Sequence, residues 1–91
     1  MKPIRSHTFR GRKFKIDIGA FDGLCESPYD TDPTPVIRIP ADLNTQGGLE
    51  TCIHEGLHAC QWAKGEEIVD ESARDIARFL RRLGYSRKDL K

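Results

Sequence analysis

The amino-acid sequence predicts one small α+β domain, in which a sheet of about three strands packs on a hairpin of two helices. Three observations predict this class. The chain has 91 residues, which is enough for one modest core and too short for two. Its N-terminal half contains short alternating apolar segments separated by turn-forming residues. Its C-terminal half carries apolar residues at helical spacing. We therefore expect a single domain over residues 1–91, with a mixed or antiparallel sheet.

Strands are predicted in the N-terminal half. Residues 13–18 alternate polar and apolar side chains with period two, as a half-buried strand does. Residues 4–9 can form its hairpin partner, with the turn at residues 10–12. Residues 19–35 are dense in Gly, Pro, Asp and Ser, which indicates a long loop. Residues 36–39 form a short strand between two prolines, which favours an edge strand because proline donates no ladder hydrogen bond.

The first predicted helix runs from about residue 46 to residue 64. Asn44 or Thr45 can cap its start, and Gly65 stands where a C-terminal glycine belongs. Its apolar residues recur at spacings of three or four and define one face: Leu49, Ile53, Leu57, Cys60 and Ala63.

The second predicted helix runs from about residue 67 to residue 83 and stops at Gly84. Acidic residues crowd its start and arginines crowd its end, as the helix dipole favours. Its apolar stripe comprises Val69, Ala73, Ile76, Ala77, Leu80 and Leu83.

Composition and charge argue against several classes of function. The formal net charge of +1 does not by itself indicate a nucleic-acid binder. No apolar run approaches the roughly 20 residues of a membrane span, and the basic N-terminus lacks the apolar stretch of a secretory signal. The three cysteines, an odd number, argue against a disulfide framework: Cys25, Cys52 and Cys60. We therefore expect free thiols, a cytoplasmic location and no membrane partner.

The chemistry is concentrated in His54-Glu55-Gly56-Leu57-His58, which fits the pattern H-E-x-x-H. Two histidines at positions i and i+4 project from one helix face, so both imidazoles can reach one tetrahedral zinc ion. Glu55 is offset by one position, so it can take a proton from a zinc-bound water and later pass it to the leaving amine. The motif predicts His54 and His58 as metal ligands and Glu55 as the catalytic residue.

A catalytic zinc site usually has three protein ligands and one open position. If Gly65 marks a tight turn between antiparallel helices, residues equidistant from that turn face each other. This symmetry places Glu71 opposite His58 and Asp75 opposite His54. We therefore predict that Glu71 is the third ligand and that Asp75 accepts a hydrogen bond from the far nitrogen of His54. Glu67, one turn before Glu71, is the main alternative ligand.

The motif, followed by a glutamate and an aspartate four residues later, resembles the gluzincin group of zinc metallopeptidases, to which thermolysin belongs. The resemblance covers about residues 36 to 83. It implies a minimal zincin-like peptidase that acts on a peptide or protein substrate, with the strand at residues 36–39 aligning the substrate backbone. We expect no counterpart here of the subdomain that supplies a Tyr or His toward the oxyanion in larger members. Tyr85 is the first candidate for that donor, and His7 and Tyr29 are weaker ones.

Two other functions stay open. The first is a zinc-stabilised binding module without turnover, for which Glu55 would be dispensable. The second, which is less favoured, is a nucleic-acid-associated protein that uses a basic stripe of Arg74, Arg78, Arg81 and Arg82. A solvated helix face is the preferred interpretation of that stripe, and the sequence leaves the oligomeric state open.

Overall fold

A four-stranded sheet and two helices make up the part of the chain that the structure, a computed structural model, describes: residues 4–19, 22–29 and 33–85. In chain order the elements are β1 (Ser6–Phe9), β2 (Arg12–Gly19), β3 (Leu24–Cys25), β4 (Val36–Pro40), α1 (Gln46–Cys60) and α2 (Glu66–Arg82). The predicted α+β class is confirmed, although the sheet has one strand more than expected.

The sheet is mixed, with strand order β1-β2-β4-β3. The predicted hairpin is confirmed: β1 and β2 are antiparallel, and His7 lies opposite Phe14. Its turn places Arg10 and Gly11 at φ values of 48° and 82°, the pair of positive angles that matches the twist of a tight hairpin. β2 then pairs in parallel with β4, and β4 pairs in antiparallel with β3.

The prediction that residues 36–39 form an edge strand is wrong. β4 has a neighbour on each side, because the two-residue strand β3 inside the predicted loop pairs with its far edge. Glu26 extends this pairing, since its N–H donates to the Val36 carbonyl over 3.0 Å and its carboxylate accepts from the Val36 N–H over 2.9 Å. Among the described strands, β3 therefore forms the edge on this side of the sheet.

Helix α1 begins as predicted and ends earlier. Thr45 caps it, because its Oγ1 accepts a hydrogen bond of 2.9 Å from the Gly48 N–H. The helix ends at Cys60 rather than at about Lys64, since Gln61 leaves the helical conformation at φ −143°. Gly65, predicted as the C-terminal glycine of α1, is instead the residue before the first turn of α2. The connection between the helices thus occupies residues 61–65.

Helix α1 lies between the sheet and α2. It contacts β1, β3 and β4, whereas α2 contacts α1 alone among the described elements. The core between α1 and the sheet contains Phe14, Cys25, Ile37, Ile39 and Ala59. Helix α2 packs on α1 through the buried residues Val69, Ala73 and Ala77.

Two residues of the predicted α2 stripe do not join this packing, because Ile76 and Leu83 are 39% and 67% exposed. Both lie at the edge of the buried stripe, about 20° and 40° around the helix from Val69. Within the described ranges, neither helix combines the length and apolar content that a bilayer span requires.

Candidate metal centre

The two histidines of the H-E-x-x-H motif face the same side of α1, as their spacing predicts. The Nε2 atoms of His54 and His58 lie 3.0 Å apart, and their ring centroids are separated by 4.7 Å. Their side chains are 18% and 14% exposed, so the imidazoles are largely shielded while their edges remain accessible. Two imidazole nitrogens are thereby directed at one point.

Glu66, the first residue of α2, brings a carboxylate to the same point. Its Oε1 lies 2.8 Å from His54 Nε2, and its Oε2 lies 3.1 Å from His58 Nε2. Although desolvation acts in the opposite direction, the hydrogen bond from His58 and the charges of His58 and His54 keep the pKa of Glu66 below its usual value. Glu66 therefore presents an ionised carboxylate, the form in which this side chain binds a metal.

The residues His54, His58 and Glu66 form what we call the metal cluster. One ligand atom from each can be chosen so that all three lie within 4.8 Å of one another. Ligand atoms at about 2.0–2.1 Å from a tetrahedral zinc ion are roughly 3.3 Å apart, close to the separations seen here. Two histidines and a glutamate are also a donor set that catalytic zinc uses. Both the size and the chemistry of the metal cluster fit zinc.

The position predicted for Glu71 is thus taken by Glu66. The prediction assumed a turn at Gly65, but in the structure His58 faces Glu66 and His54 faces Asp70, which puts the symmetry point of the two helices at Trp62. Glu71 is exposed and lies outside the metal cluster, and so does the alternative Glu67. Glu66, the glutamate that lies beside the two histidines, precedes the predicted ligand Glu71 by five residues.

Asp70 supplies the contact predicted for Asp75. Its Oδ1 accepts a hydrogen bond from His54 Nδ1 over 3.0 Å. In a neutral imidazole, a proton held on Nδ1 leaves Nε2 with the lone pair that a metal needs. Glu66 and Asp70 are four residues apart, which is the spacing predicted for Glu71 and Asp75, but they lie five residues earlier in α2. Asp75 is exposed and has no place in the metal cluster.

Glu55 is the charged residue that is buried in the described part of the chain, with 8% of its surface exposed. Desolvation raises its pKa above the ordinary carboxyl value, while the charges of His54 and His58 act in the opposite direction. A raised pKa brings a carboxylate closer to the range in which it can accept and return a proton near neutral pH. Its environment therefore suits a general base.

A cleft of about 440 Å³ connects Glu55 with the metal cluster. On the helical side, Trp62 packs near His58 with ring centroids 5.9 Å apart. On the sheet side, burial and the nearby Glu55 raise the pKa of Cys25 to about 12, so this cysteine remains a neutral thiol at physiological pH. The lining residues are Gly23, Leu24, Cys25, His54, Glu55, His58, Trp62, Lys64 and Glu66.

Gly23 supports Glu55 in a way that was not predicted from the sequence. Its φ is +113°, and a Cβ placed on it would lie 2.8 Å from Glu55 Oε2 and 2.6 Å from Thr51 Cγ2. The backbone of the segment before β3 therefore rests directly against the carboxylate. The signal in the sequence is a lone glycine within a loop rich in turn-forming residues, which does not indicate such a contact.

We expect Gly23→Ala to lower the rate of any reaction that depends on Glu55 by at least about tenfold, because a misplacement of about 1 Å has costs of this order. Gly11→Ala is the matched control, since Gly11 also has a positive φ, 82°, but a Cβ there meets nothing within 4 Å. Both variants carry backbone strain, so both are expected to melt earlier. Equal activity losses in the two variants would show that the contact with Glu55 is irrelevant.

The other predicted site residues lie away from the cleft. Tyr85 follows the C-terminus of α2, roughly 25 Å along the helix from Glu66, so the structure does not bring it to the metal cluster. His7 is on β1 and packs edge-on against Phe9, with ring centroids 4.8 Å apart. Tyr29 is 77% exposed and does not line the cleft.

Comparisons of the chain with protein-family models, with curated proteins and with solved structures find no match. The site is therefore interpreted from its own residues and geometry.

Proposed function

We propose that this protein is a zinc-dependent peptidase of the gluzincin type, with His54, His58 and Glu66 as zinc ligands. The observation that carries the proposal is the convergence of three ligand atoms within 4.8 Å at a cleft that also contains the buried Glu55. The hydrogen bond from His54 to Asp70 adds the orienting contact that zinc-binding histidines usually have. The proposed zinc ligands differ from the sequence prediction only in the third residue.

When bound, zinc would supply a Lewis acid that acidifies water and polarises the scissile carbonyl. Among the residues of the chain, Glu55 carries out the proton transfers. As general base, Glu55 takes the proton of the attacking water, and as general acid it returns that proton to the departing amine. Burial favours both roles, because a carboxylate whose pKa is raised binds the proton of water more strongly and then holds that proton until the amine leaves.

The substrate backbone is expected to lie along β3 rather than along the strand predicted from the sequence. Gly23, Leu24 and Cys25 line the cleft, and β3 uses its other edge to pair with β4. The unpaired peptide groups of an edge strand can accept an extended peptide as an additional strand. This placement brings the substrate across the cleft next to Glu55.

Lys64 is our candidate for the group that stabilises the oxyanion, in place of Tyr85. Among the described residues that line the cleft, it is the one lysine or arginine. We expect Lys64→Met to lower kcat about 10- to 100-fold, which is at or below the range for removal of an oxyanion donor, and to change KM little. Steady-state kinetics against an exposed control, Lys13→Met on β2, would test this. A parallel loss in both variants would remove Lys64 from the mechanism.

The proposed function is tested by incubating the zinc-loaded protein with a mixture of unstructured peptides and identifying new termini by mass spectrometry. Cleavage that stops with a chelator and returns with added zinc is expected. Zinc binding without cleavage of any peptide would favour the alternative, a zinc-stabilised module that binds another protein. A salt-dependent affinity for DNA or RNA would be needed to revive the nucleic-acid alternative.

We also propose a cytoplasmic location. It rests on the three cysteines, which form no disulfide bond in the structure, since reduced thiols persist in a reducing compartment.

A further inference from the structure

The outer side of α2 carries an apolar stripe that is separate from the packing on α1. Ile68, Ile76, Phe79 and Leu83 are 53%, 39%, 61% and 67% exposed. At about 100° per residue they fall within an arc of about 80°, so they form one continuous strip along the helix. We call these four residues the outer stripe. It borders the buried face of α2, and each of its four side chains stays more than a third exposed beside the described elements.

Such a strip is unusual for a helix surface that faces only water. Single exposed apolar side chains are common, but a contiguous row of large ones marks a surface that is covered by another element. The outer stripe contains four of the seven large hydrophobic residues that are exposed in the described part of the chain. Its spacing of eight, three and four residues is the periodicity with which one helix packs along another.

The charges beside the outer stripe indicate what covers it. Glu71 and Asp75 lie along one flank in the first part of α2, and Arg78 and Arg82 lie along the same flank in the second part. All four are exposed. When two helices pack in antiparallel orientation, the same flank of each helix meets, and the first half of one helix faces the second half of the other. The acidic residues of one copy would then face the arginines of a second copy.

We propose that the protein forms a homodimer in which the outer stripes of two α2 helices pack antiparallel around a two-fold axis near Ile76. In this arrangement Ile68 of one copy lies near Leu83 of its partner, and Asp75 lies near the partner's Arg78. The interface is isologous, so one surface supplies both sides. This inference rests on α2 alone and does not depend on the proposed peptidase activity.

The proposed dimer contact lies next to the metal cluster. Ile68 stands between Glu66 and Asp70 in the sequence, so the contact begins in the helical turn that carries the carboxylates facing His54 and His58. An interface made by one helix of 17 residues per copy is small. Because it falls at or below the lower end of the range for stable complexes, we expect dissociation in the micromolar range rather than the nanomolar range.

The test is sedimentation of the purified full chain over a range of concentrations, with and without a chelator. Wild type is expected to shift from a 10.3 kDa monomer to a dimer as the concentration rises. Phe79→Gln is expected to weaken the dimer at least about tenfold, since a large apolar side chain is removed from its centre. Arg74→Gln, an exposed change on the opposite side of α2, is the matched control and is expected to leave the dimer unchanged.

The orientation is tested by charge reversal. Asp75→Arg and Arg78→Asp are each expected to weaken the dimer several-fold, because each places like charges opposite one another. The double variant restores opposite charges and is expected to restore the dimer. Failure of this restoration would overturn the antiparallel arrangement. A wild type that stays monomeric at every concentration, or a dimer that Phe79→Gln does not affect or that disappears with the chelator alone, would overturn the proposed interface.

Discussion

Glu55→Gln is expected to lower kcat/KM for peptide hydrolysis by about 10²- to 10⁴-fold while zinc content stays at the wild-type level. Glutamine has nearly the same shape as glutamate, so it keeps the contact with Gly23 but cannot accept the proton of water. His54, His58 and Glu66 are unchanged, which preserves the metal cluster. Single-turnover cleavage and metal content of the same preparation would measure both effects.

Stability separates this loss from misfolding. Because burial raises the pKa of Glu55, the folded protein disfavours its ionised form, and ionisation at pH values above the ordinary carboxyl pKa costs folding free energy. Glutamine removes that cost, so the metal-free variant should melt no earlier than metal-free wild type at pH 7. Glu50→Gln, at a half-buried position of α1, is the control and should retain activity. Full cleavage by Glu55→Gln would refute the general-base role.

His58→Ala is expected to abolish both zinc binding and the stabilisation that zinc provides. A ligand present at about 1,000 times its dissociation constant stabilises the folded state by about 4 kcal/mol, and a domain of this size then melts more than about 10 °C higher. Wild type should therefore lose that increment on chelation, whereas His58→Ala should melt at the same temperature with or without a chelator. A zinc-dependent rise in Tm in His58→Ala would show that the metal binds elsewhere.

The parts of the site that could be predicted from the sequence are those set by local helix geometry. The separation of His54 and His58 by one helical turn places their imidazoles together wherever the helix packs. The cap at Thr45 and the stop at Gly84, whose φ is +91°, follow from the chemistry of single residues. These features depend only on residues that are neighbours in the chain, so the sequence pattern was sufficient to predict them.

The identity of the proposed third ligand depends instead on where α1 ends. Residues 61–64 contain neither glycine nor proline, so local signals favoured a longer helix with its stop at Gly65. Because α1 ends at Cys60, different residues of α2 face the histidines. A glutamate is followed four residues later by an aspartate at two places, Glu66 with Asp70 and Glu71 with Asp75, so both placements of α2 were equally plausible. Glu66 and Glu71 could be told apart only by the spatial relation of the two helices.

The sheet side of the cleft required contacts between distant segments. A strand of two residues, β3, has no periodicity to detect, and its pairing with β4 joins residues 12 and 14 positions apart. The contact of Gly23 with Glu55 is of the same kind. The apolar positions of α2 were identified, but Ile76 and Leu83 were assigned to the buried face because a broad helical stripe does not show which of its edges the neighbouring helix covers.

The assignment of Glu66 is tested most directly by zinc content per chain, measured by mass spectrometry of the metal after dialysis against zinc-free buffer. Glu66→Gln and Glu71→Gln are matched, since both alter one exposed glutamate of α2 and both change the net charge equally. We expect one zinc per chain in wild type and in Glu71→Gln, and loss of zinc in Glu66→Gln. Zinc retained in Glu66→Gln and lost in Glu71→Gln would contradict the metal cluster described here and restore the register predicted from the sequence.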